Sequence, residues 1–352
     1  MNRITINLNN YKSEIYVGLK WNEFSRFIPV QNTVIITDDN IKNIYGSHFP
    51  QIPVFSVKPG EESKTLQVVA SLTGKLLDCG IDRSGFLVGI GGGVVCDLTG
   101  FLASVYMRGI RFGFVSTSLL SQVDASVGGK NAVNLGKVKN VLGCFRQPEF
   151  VICDPQMLNT LPEEEYLSGL AELIKMGLIM DYNLFSLAEQ NRRRLLNRDI
   201  ELLEYMISVS VELKASVVRE DEKEISGKRM ILNFGHTFGH VIETMAGMKH
   251  GFAVAAGMVI ASDISVQAGL LESAARDRIV NLLKELKLIK EYIVPVAVFE
   301  EMLLKDKKKQ GDNINFVLLE SPGKAVIRKI NTRELIEFYK LLKKVNESRS
   351  IC

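Results

Sequence analysis

The sequence predicts an α/β N-terminal domain with a parallel sheet, followed by a mostly α-helical C-terminal domain. Three observations carry this expectation. Short β-rich runs alternate with helical segments through the first half, the pattern of a parallel sheet with crossover helices. Apolar residues recur at helical spacing through the second half. The chain has 352 residues, more than the roughly 250–300 that a single core sustains, so two domains are expected.

The β-rich runs are Val34–Thr37, Phe55–Val57, Phe86–Ile90, Phe112–Ser116 and Phe150–Cys153, with a helical segment at Thr65–Cys79 among them. Sheets of this kind place ligands at the carboxyl ends of their strands. In the second half, Leu202, Leu203, Met206, Ile207, Val211 and Leu213 keep helical spacing. So do Ile279, Leu282, Leu283 and Leu286, and later Leu335, Ile336, Tyr339 and Leu342. A short β-rich piece interrupts them, Phe316–Leu319 and Val326–Ile327 around the turn Ser321-Pro322-Gly323. Leu161-Pro162 suits a boundary, because proline disfavours helix at the residue before it and starts helices well. The expected domains are therefore 1–161 and 162–352.

Composition excludes some classes. Hydrophobic residues make up 46% and charged residues 24%, as in ordinary globular proteins. The 43 basic and 40 acidic residues leave a net charge of +3, with no basic excess of the kind nucleic-acid binding calls for. Arg192–Arg194 reads as a solvated helix face, and Lys305–Lys309 is the second basic concentration. The start, Met1-Asn2-Arg3-Ile4-Thr5-Ile6-Asn7, alternates polar and apolar residues, so no signal peptide is expected. The apolar stretch Phe252–Ser262 is too short for a bilayer, so no membrane partner is expected. A cytoplasmic chain is expected, its five cysteines reduced.

Four groups of residues point to chemistry. Gly89-Ile90-Gly91-Gly92-Gly93-Val94-Val95-Cys96-Asp97 joins an apolar strand to a helix. Bare glycines and a helix start suit a pyrophosphate, yet the spacing departs from the six-residue dinucleotide fingerprint, and a plain tight turn is an equal reading. Thr37-Asp38-Asp39-Asn40, ending an early strand, reads either as a contact to ribose hydroxyls or as a helix cap. The loop Pro59-Gly60-Glu61-Glu62-Ser63-Lys64-Thr65 says little alone.

The second group is Asp124-Ala125-Ser126-Val127-Gly128-Gly129-Lys130-Asn131 with Lys139-Asn140-Val141-Leu142-Gly143. It lacks the full phosphate-loop pattern. Its lysines and asparagines either grip an oxyanion or belong to a surface loop. The third group is the most specific. Of four histidines, three fall between His236 and His250. His236 and His240 share a helix face, as do Glu172 and Lys175 upstream. Two imidazoles and a carboxylate with an open position form a catalytic zinc pattern; His48 stands apart. The fourth group, Lys214, Lys228-Arg229 before Asn233, and Asp306-Lys307-Lys308, suits an acidic substrate.

Taken in order, these motifs, with Arg108-Gly109, Thr160-Leu161-Pro162 and Leu232-Asn233-Phe234-Gly235-His236-Thr237-Phe238-Gly239-His240, closely resemble the 3-dehydroquinate synthase family of sugar-phosphate cyclases. The likeness runs from about Thr37 to Lys308. It implies an NAD-binding α/β domain and a mostly helical metal and substrate domain. It implies zinc, with cobalt as the alternative, on Glu172, His236 and His250, and a catalytic rather than ligating His240. Lys130, Asp124, Lys175 and Asn140 are implied to be catalytic as well. Arg108, Lys139, Lys214, Arg229, Asn233 and Lys308 fall where the family contacts substrate. Asp38, Glu61, Lys64, Gly92, Gly93, Asp97, Thr117 and Ser118, with Lys130 and Lys139, fall at NAD positions.

The implied reaction converts 3-deoxy-D-arabino-heptulosonate 7-phosphate to 3-dehydroquinate and phosphate in the shikimate pathway. It proceeds by transient oxidation by NAD, phosphate elimination, re-reduction and intramolecular aldol closure. The implied partners are this sugar-acid phosphate and a second copy of the chain in a homodimer. The sequence departs from the family at Phe252, where glutamate is common, and at Ser116-Thr117-Ser118 and Asp124-Ala125-Ser126. The His240–His250 gap is about two residues short, a loop-scale difference. Competing readings are a sister cyclase such as 2-deoxy-scyllo-inosose synthase, a metal-dependent polyol dehydrogenase, and a non-catalytic cofactor binder. Each would dispense with some of the cations or ligands named above.

Overall fold

A computed structural model describes residues 1–8, 11–29, 31–136, 138–290, 295–304, 309–310 and 312–349. The chain forms two compact units, Met1–Gly169 with Arg198–Ile225, and Leu170–Asn197 with Ser226–Cys352.

In the first unit the strands are β1 (Asn2–Leu8), β2 (Tyr11–Val17), β3 (Thr33–Asp38), β4 (Val54–Val57), β5 (Phe86–Gly91), β6 (Arg111–Ser116), β7 (Lys130–Leu135), β8 (Val138–Phe145) and β9 (Phe150–Cys153). Its early helices are α1 (Asp39–Tyr45), α2 (Leu66–Asp78) and α3 (Gly93–Val105). The division between units falls within α4 (Glu163–Met180). After α5 (Tyr182–Gln190) and α6 (Arg192–Leu196), the chain returns to the first unit with α7 (Ile200–Glu220).

Seven strands form one sheet in the order β1-β2-β9-β6-β5-β3-β4. All its pairings are parallel except β1 with β2. Strands β5 and β9 are buried at every position, and β3 at all but its last. That is why they read as unbroken apolar runs rather than alternating ones. The helix expected at Thr65–Cys79 is α2: the Thr65 hydroxyl accepts from Val68 N at 3.3 Å, and Cys79 caps the far end. Val69, Leu72 and Leu76 form its buried face. Helix α7 buries Leu202, Leu203, Met206, Ile207 and Val211. It is tied to β1 by the Arg219 guanidinium, which donates to the Thr5 carbonyl at 2.8 Å, and by the Asn2 amide, which donates to Ser208 Oγ at 2.9 Å.

Order along the sheet reverses at β3 and β5. The chain runs from β3 outward to β4, then crosses back to β5 on the other side of β3 and onward to β6. The carboxyl ends of β3 and β5 are thus the topological switch point, where parallel sheets open a crevice for ligands.

The second unit holds α8 (His236–Ala246), α9 (His250–Gln267), α10 (Ser273–Glu285), α11 (Val296–Leu304) and α12 (Thr332–Arg349). It also holds a small antiparallel sheet of β10 (Lys309–Gln310), β11 (Asn313–Ser321) and β12 (Lys324–Asn331). The hairpin of β11 and β12 turns at Pro322-Gly323, as the sequence predicts. Phe238, Phe299, Tyr339 and Phe316 cluster in its core, with the Phe238 and Phe299 rings stacked at 4.2 Å. No helix among the described residues is long and apolar enough to cross a membrane.

Candidate active site

In the first unit, the predicted cofactor residues gather around the switch point. Asp38 ends β3 and caps α1, accepting from Ile41 N at 3.0 Å, so the helix-cap reading holds as geometry. Burial pushes its carboxyl up from the ordinary value, against the pull of those amides. Gly92 precedes α3 and supplies no side-chain cap, so the first-turn amides of α3 receive none from it. A Cβ at Gly92 would stand 3.3 Å from Ser118 Oγ, and one at Gly93 3.1 Å from the Ala125 Cβ. Side chains here would crowd the turn, and bare backbone at a helix N-terminus suits a pyrophosphate. The residues present therefore fit a dinucleotide. Thr117 is anchored by its amide on the Gly91 carbonyl at 3.0 Å, and Ser118 shares hydrogen bonds with Ser121.

Lys64 is buried, and its ammonium lies between the carboxylate of Asp97 and the amide oxygen of Asn140. Burial pushes Asp97 up to about 6, although Lys64 opposes this. Glu61 accepts from Asn134 Nδ2 at 2.8 Å, and Asn134 in turn accepts from Asn140 N at 2.8 Å. This network joins the Glu61–Lys64 loop to an antiparallel ribbon of β7 and β8, in which Lys130 faces Phe145. The ribbon is what becomes of the stretch that reads equally as an oxyanion grip or a surface loop. Lys130 is paired with Glu224, Lys214 with the Asp124 carboxylate and carbonyl, and Lys139 is exposed. Asp124 sits in a single π-helical turn, Ser121–Ala125. Arg108 is exposed at φ 69°, following Met107 at φ 46°. Two consecutive left-handed non-glycine residues are a costly backbone arrangement.

The second unit brings the metal-type residues together. Glu172 and Lys175 lie one turn apart on α4, and both are about 1% exposed. His236 opens α8 and His250 opens α9. Ligand atoms of Glu172, His236 and His250 lie within 4.8 Å of one another. Glu172 Oε1 is buried without a hydrogen bond among the described residues. It lies 3.7 Å from His236 Nε2 and 3.4 Å from His250 Nε2, while Oε2 is paired with Lys175. His236 Nδ1 contacts the Phe234 carbonyl at 3.1 Å, and His250 Nδ1 contacts Glu243 Oε2 at 3.0 Å. Each outer nitrogen therefore has an acceptor, which leaves both Nε2 atoms for a metal. An orphaned carboxylate oxygen and two oriented imidazoles fit a divalent cation.

Charge in this cluster follows from its burial. Burial would push the Glu172 carboxyl up, but the Lys175 ammonium and then the His250 imidazole hold it well below the usual carboxylate range. Burial and then Lys175 keep His236 well below its ordinary value, hence neutral. Burial would lower His250 too, but the carboxylates of Glu172 and Glu243 raise it to about 10. A cation would be held by the neutral form of each imidazole.

His240 shares the face of α8 with His236, ring centroids 5.3 Å apart, yet it is exposed and outside the three-residue cluster. Arg229 is 2% exposed and Asn233 half-buried, both in one 3-10 turn, Lys228–Asn233. Lys308 lies outside the described residues. Phe252 is a buried core residue beneath the Lys290 ammonium, 4.2 Å from the ring centroid. Sequence reasoning missed Glu243 and Glu224. Glu243 was findable: seven residues after His236, it falls on the same helical face as both histidines. Glu224 left no local signal.

Comparison with known proteins shows the family. Residues 54–168 match the family model of the 3-dehydroquinate synthase N-terminal region, and 169–309 that of the C-terminal region. A 3-dehydroquinate synthase of Dictyoglomus turgidum is 38% identical over 351 residues, covering 97% of this chain and 98% of that one. A crystal structure of 2-deoxy-scyllo-inosose synthase with carbaglucose-6-phosphate, NAD+ and Co2+ superimposes with a TM-score of 0.85 at 25% identity, covering 96% of this chain and 99% of that one. A 2-epi-5-epi-valiolone synthase from Streptomyces hygroscopicus subsp. jinggangensis 5008, with NAD+ and Zn2+ bound, shares the fold with a TM-score of 0.86 at 22% identity, covering 98% and 99%. From the two family models and the near full-length identity together, this chain belongs to the 3-dehydroquinate synthase family.

Proposed function

We propose that the chain converts 3-deoxy-D-arabino-heptulosonate 7-phosphate into 3-dehydroquinate and phosphate. The observation that carries this reading, beside family membership, is the convergence of Glu172, His236 and His250 next to buried Lys175. When bound, NAD supplies reversible oxidation at an alcohol carbon, and a divalent cation polarises the alcohol oxygen.

The chain's own residues do the rest. Glu172, His236 and His250 hold the cation. Asp38, Glu61, Lys64, Gly92, Gly93, Asp97, Thr117 and Ser118, with Lys130 and Lys139, hold the cofactor, with the first turn of α3 taking its pyrophosphate. Lys130, Lys139, Arg108, Lys214, Arg229, Asn233 and Lys308 orient the carboxylate and phosphate of a doubly anionic substrate, which turns positioning into rate. Lys175, Asn140 and Asp124 contact the reacting part of the substrate. His240, exposed and beside the cluster, receives or returns a proton.

We also take 1–161 as the NAD-binding domain and 162–352 as the metal and substrate domain, and the chain as a cytoplasmic homodimer. Four free cysteines among the described residues, two of them buried, suit a reducing compartment. Light scattering tests the dimer.

Incubation of the pure protein with the heptulosonate phosphate, zinc and catalytic NAD should release phosphate and form dehydroquinate in equal amounts. Turnover of a hexose 6-phosphate instead would move the chain to the sister cyclase. NADH accumulating in step with product would make it a dehydrogenase.

A further inference from the structure

We infer that Glu243 is a positioning residue for the metal centre: its carboxylate holds His250 in the tautomer and orientation that present Nε2 as a ligand. The inference rests on the proposal that Glu172, His236 and His250 bind a cation.

Three observations support it. Glu243 Oε2 lies 3.0 Å from His250 Nδ1, while His250 Nε2 lies 3.4 Å from Glu172 Oε1 on the other side of the ring. The two ring nitrogens thus have separate tasks, one toward Glu243 and one toward the cluster. The Glu243 carboxylate is also sheltered, its side chain about 15% exposed, so the contact is not a solvated surface pair. Finally, the backbone delivers the contact. Glu243 is seven residues beyond His236 on α8, two turns along the same face. Gly247, left-handed at φ 58°, ends α8, and residues 247–249 turn the chain so that His250 opens α9 beside Glu243. His236 has the equivalent support from a main-chain carbonyl, that of Phe234. His250, at the start of its helix, relies on a side chain instead.

A carboxylate on the outer nitrogen fixes the tautomer, resists ring rotation and raises ligand basicity. Loss of such a partner typically weakens metal binding about 10- to 100-fold. Among the described residues, Glu243 is the carboxylate in contact with His250 Nδ1.

The test compares the full-length chain with Glu243→Ala and Glu243→Gln by zinc competition against a chromophoric chelator. Thermal unfolding of each is followed with and without zinc. Glu243→Ala should bind zinc about 10- to 100-fold more weakly, and the zinc-induced rise in Tm should shrink accordingly. Glu243→Gln keeps a neutral acceptor for Nδ1–H and should recover part of the affinity. A merely structural role would instead lower the Tm of metal-free and zinc-loaded protein equally and leave zinc affinity unchanged, overturning the inference. So would parent-like affinity in Glu243→Gln together with Glu243→Ala. If Glu243→Ala fails to fold, Glu243→Gln decides alone: parent-like affinity overturns the inference, and a several-fold loss upholds it. Absence of zinc binding by the parent chain would overturn the underlying metal reading itself, which separates the two failures.

Discussion

Two histidines on α8 look equivalent in sequence, and the structure separates them. His236 is buried with its Nε2 toward Glu172, whereas His240 is exposed beside it. If His240 handles protons rather than metal, His240→Ala should keep close to one zinc per chain and lose roughly 10²- to 10⁴-fold in turnover, the usual range for a general acid or base. His250→Ala should lose zinc and activity together. Elemental analysis of both variants decides it: metal lost from the first and kept by the second would reverse the assignment. Lys130 offers a second comparison. Its ion pair with Glu224 is about half exposed, so Lys130→Ala should cost little stability, under about 1 kcal/mol. Yet kcat/KM should fall sharply, and by far more than NAD affinity does. A normal kcat/KM would remove Lys130 from the substrate site.

At the scale of elements, the histidine cluster depends on how closely α8 meets α9. A Cβ at Gly257 on α9 would stand 1.9 Å from the Gly235 carbonyl oxygen and 2.9 Å from Gly239 N. Gly235 itself is left-handed, φ 77°, and immediately precedes His236. Gly257→Ala therefore cannot be absorbed by a side-chain rotation; the backbone at the start of α8 must move. It should destabilise by about 1–3 kcal/mol or more, as overpacking does, and reduce bound zinc because His236 moves with the backbone. A parental Tm and full zinc content would show that the two helices have slack. The β1–β2 hairpin gives a pH-dependent counterpart. Glu14 on β2 meets Lys12 and Tyr16 on its own strand and Arg3 on β1. Burial would raise the Glu14 carboxyl, but these three partners lower it to about 2. A depressed carboxylate stabilises the fold above its unfolded value near 4.5 and loses that contribution as pH falls through about 2. Glu14→Gln should thus melt earlier than the parent at pH 6, with the gap closing toward pH 2; a gap that does not change with pH would show that the carboxylate's charge contributes nothing.

For the molecule as a whole, recycling of NAD is the most telling behaviour. Substoichiometric NAD should support many turnovers with no net NADH, because the implied reaction returns the electrons it takes. Steady NADH accumulation measured at its near-ultraviolet absorbance would contradict the cyclase assignment. Much of this was readable beforehand, and for identifiable reasons. Strands β3, β5 and β9 are buried on both faces, so they leave unbroken apolar runs such as Phe86–Ile90 that stand out. The ribbon of β7 and β8 left no such trace: Val138-Lys139-Asn140-Val141 is exposed throughout, and its place in a strand comes from the antiparallel pairing of β8 with β7. The His236–His240 spacing was visible, but which histidine joins Glu172 depends on α4, α8 and α9 meeting, and no local period records that encounter. Glu243 and Phe252 show both sides of this limit. The former sits at a legible helical interval, whereas the burial of Phe252 under Lys290 is purely tertiary.

The return of α7 to the first unit has a consequence for how this protein is made. The seven-stranded sheet has all its strands once Cys153 is synthesised, but Lys214, the partner of Asp124, and the helix that lies on β1 are translated later. At about 5–20 residues per second, the intervening stretch takes roughly 3–12 s to emerge. During that interval β1 is without the helix that meets it, and Lys214 has yet to reach Asp124. A fragment cut at Gly169 keeps the whole sheet but reproduces this nascent state permanently. Released from ribosomes, such a fragment should aggregate or engage chaperones, and supplying Arg198–Ile225 on the same chain should relieve it.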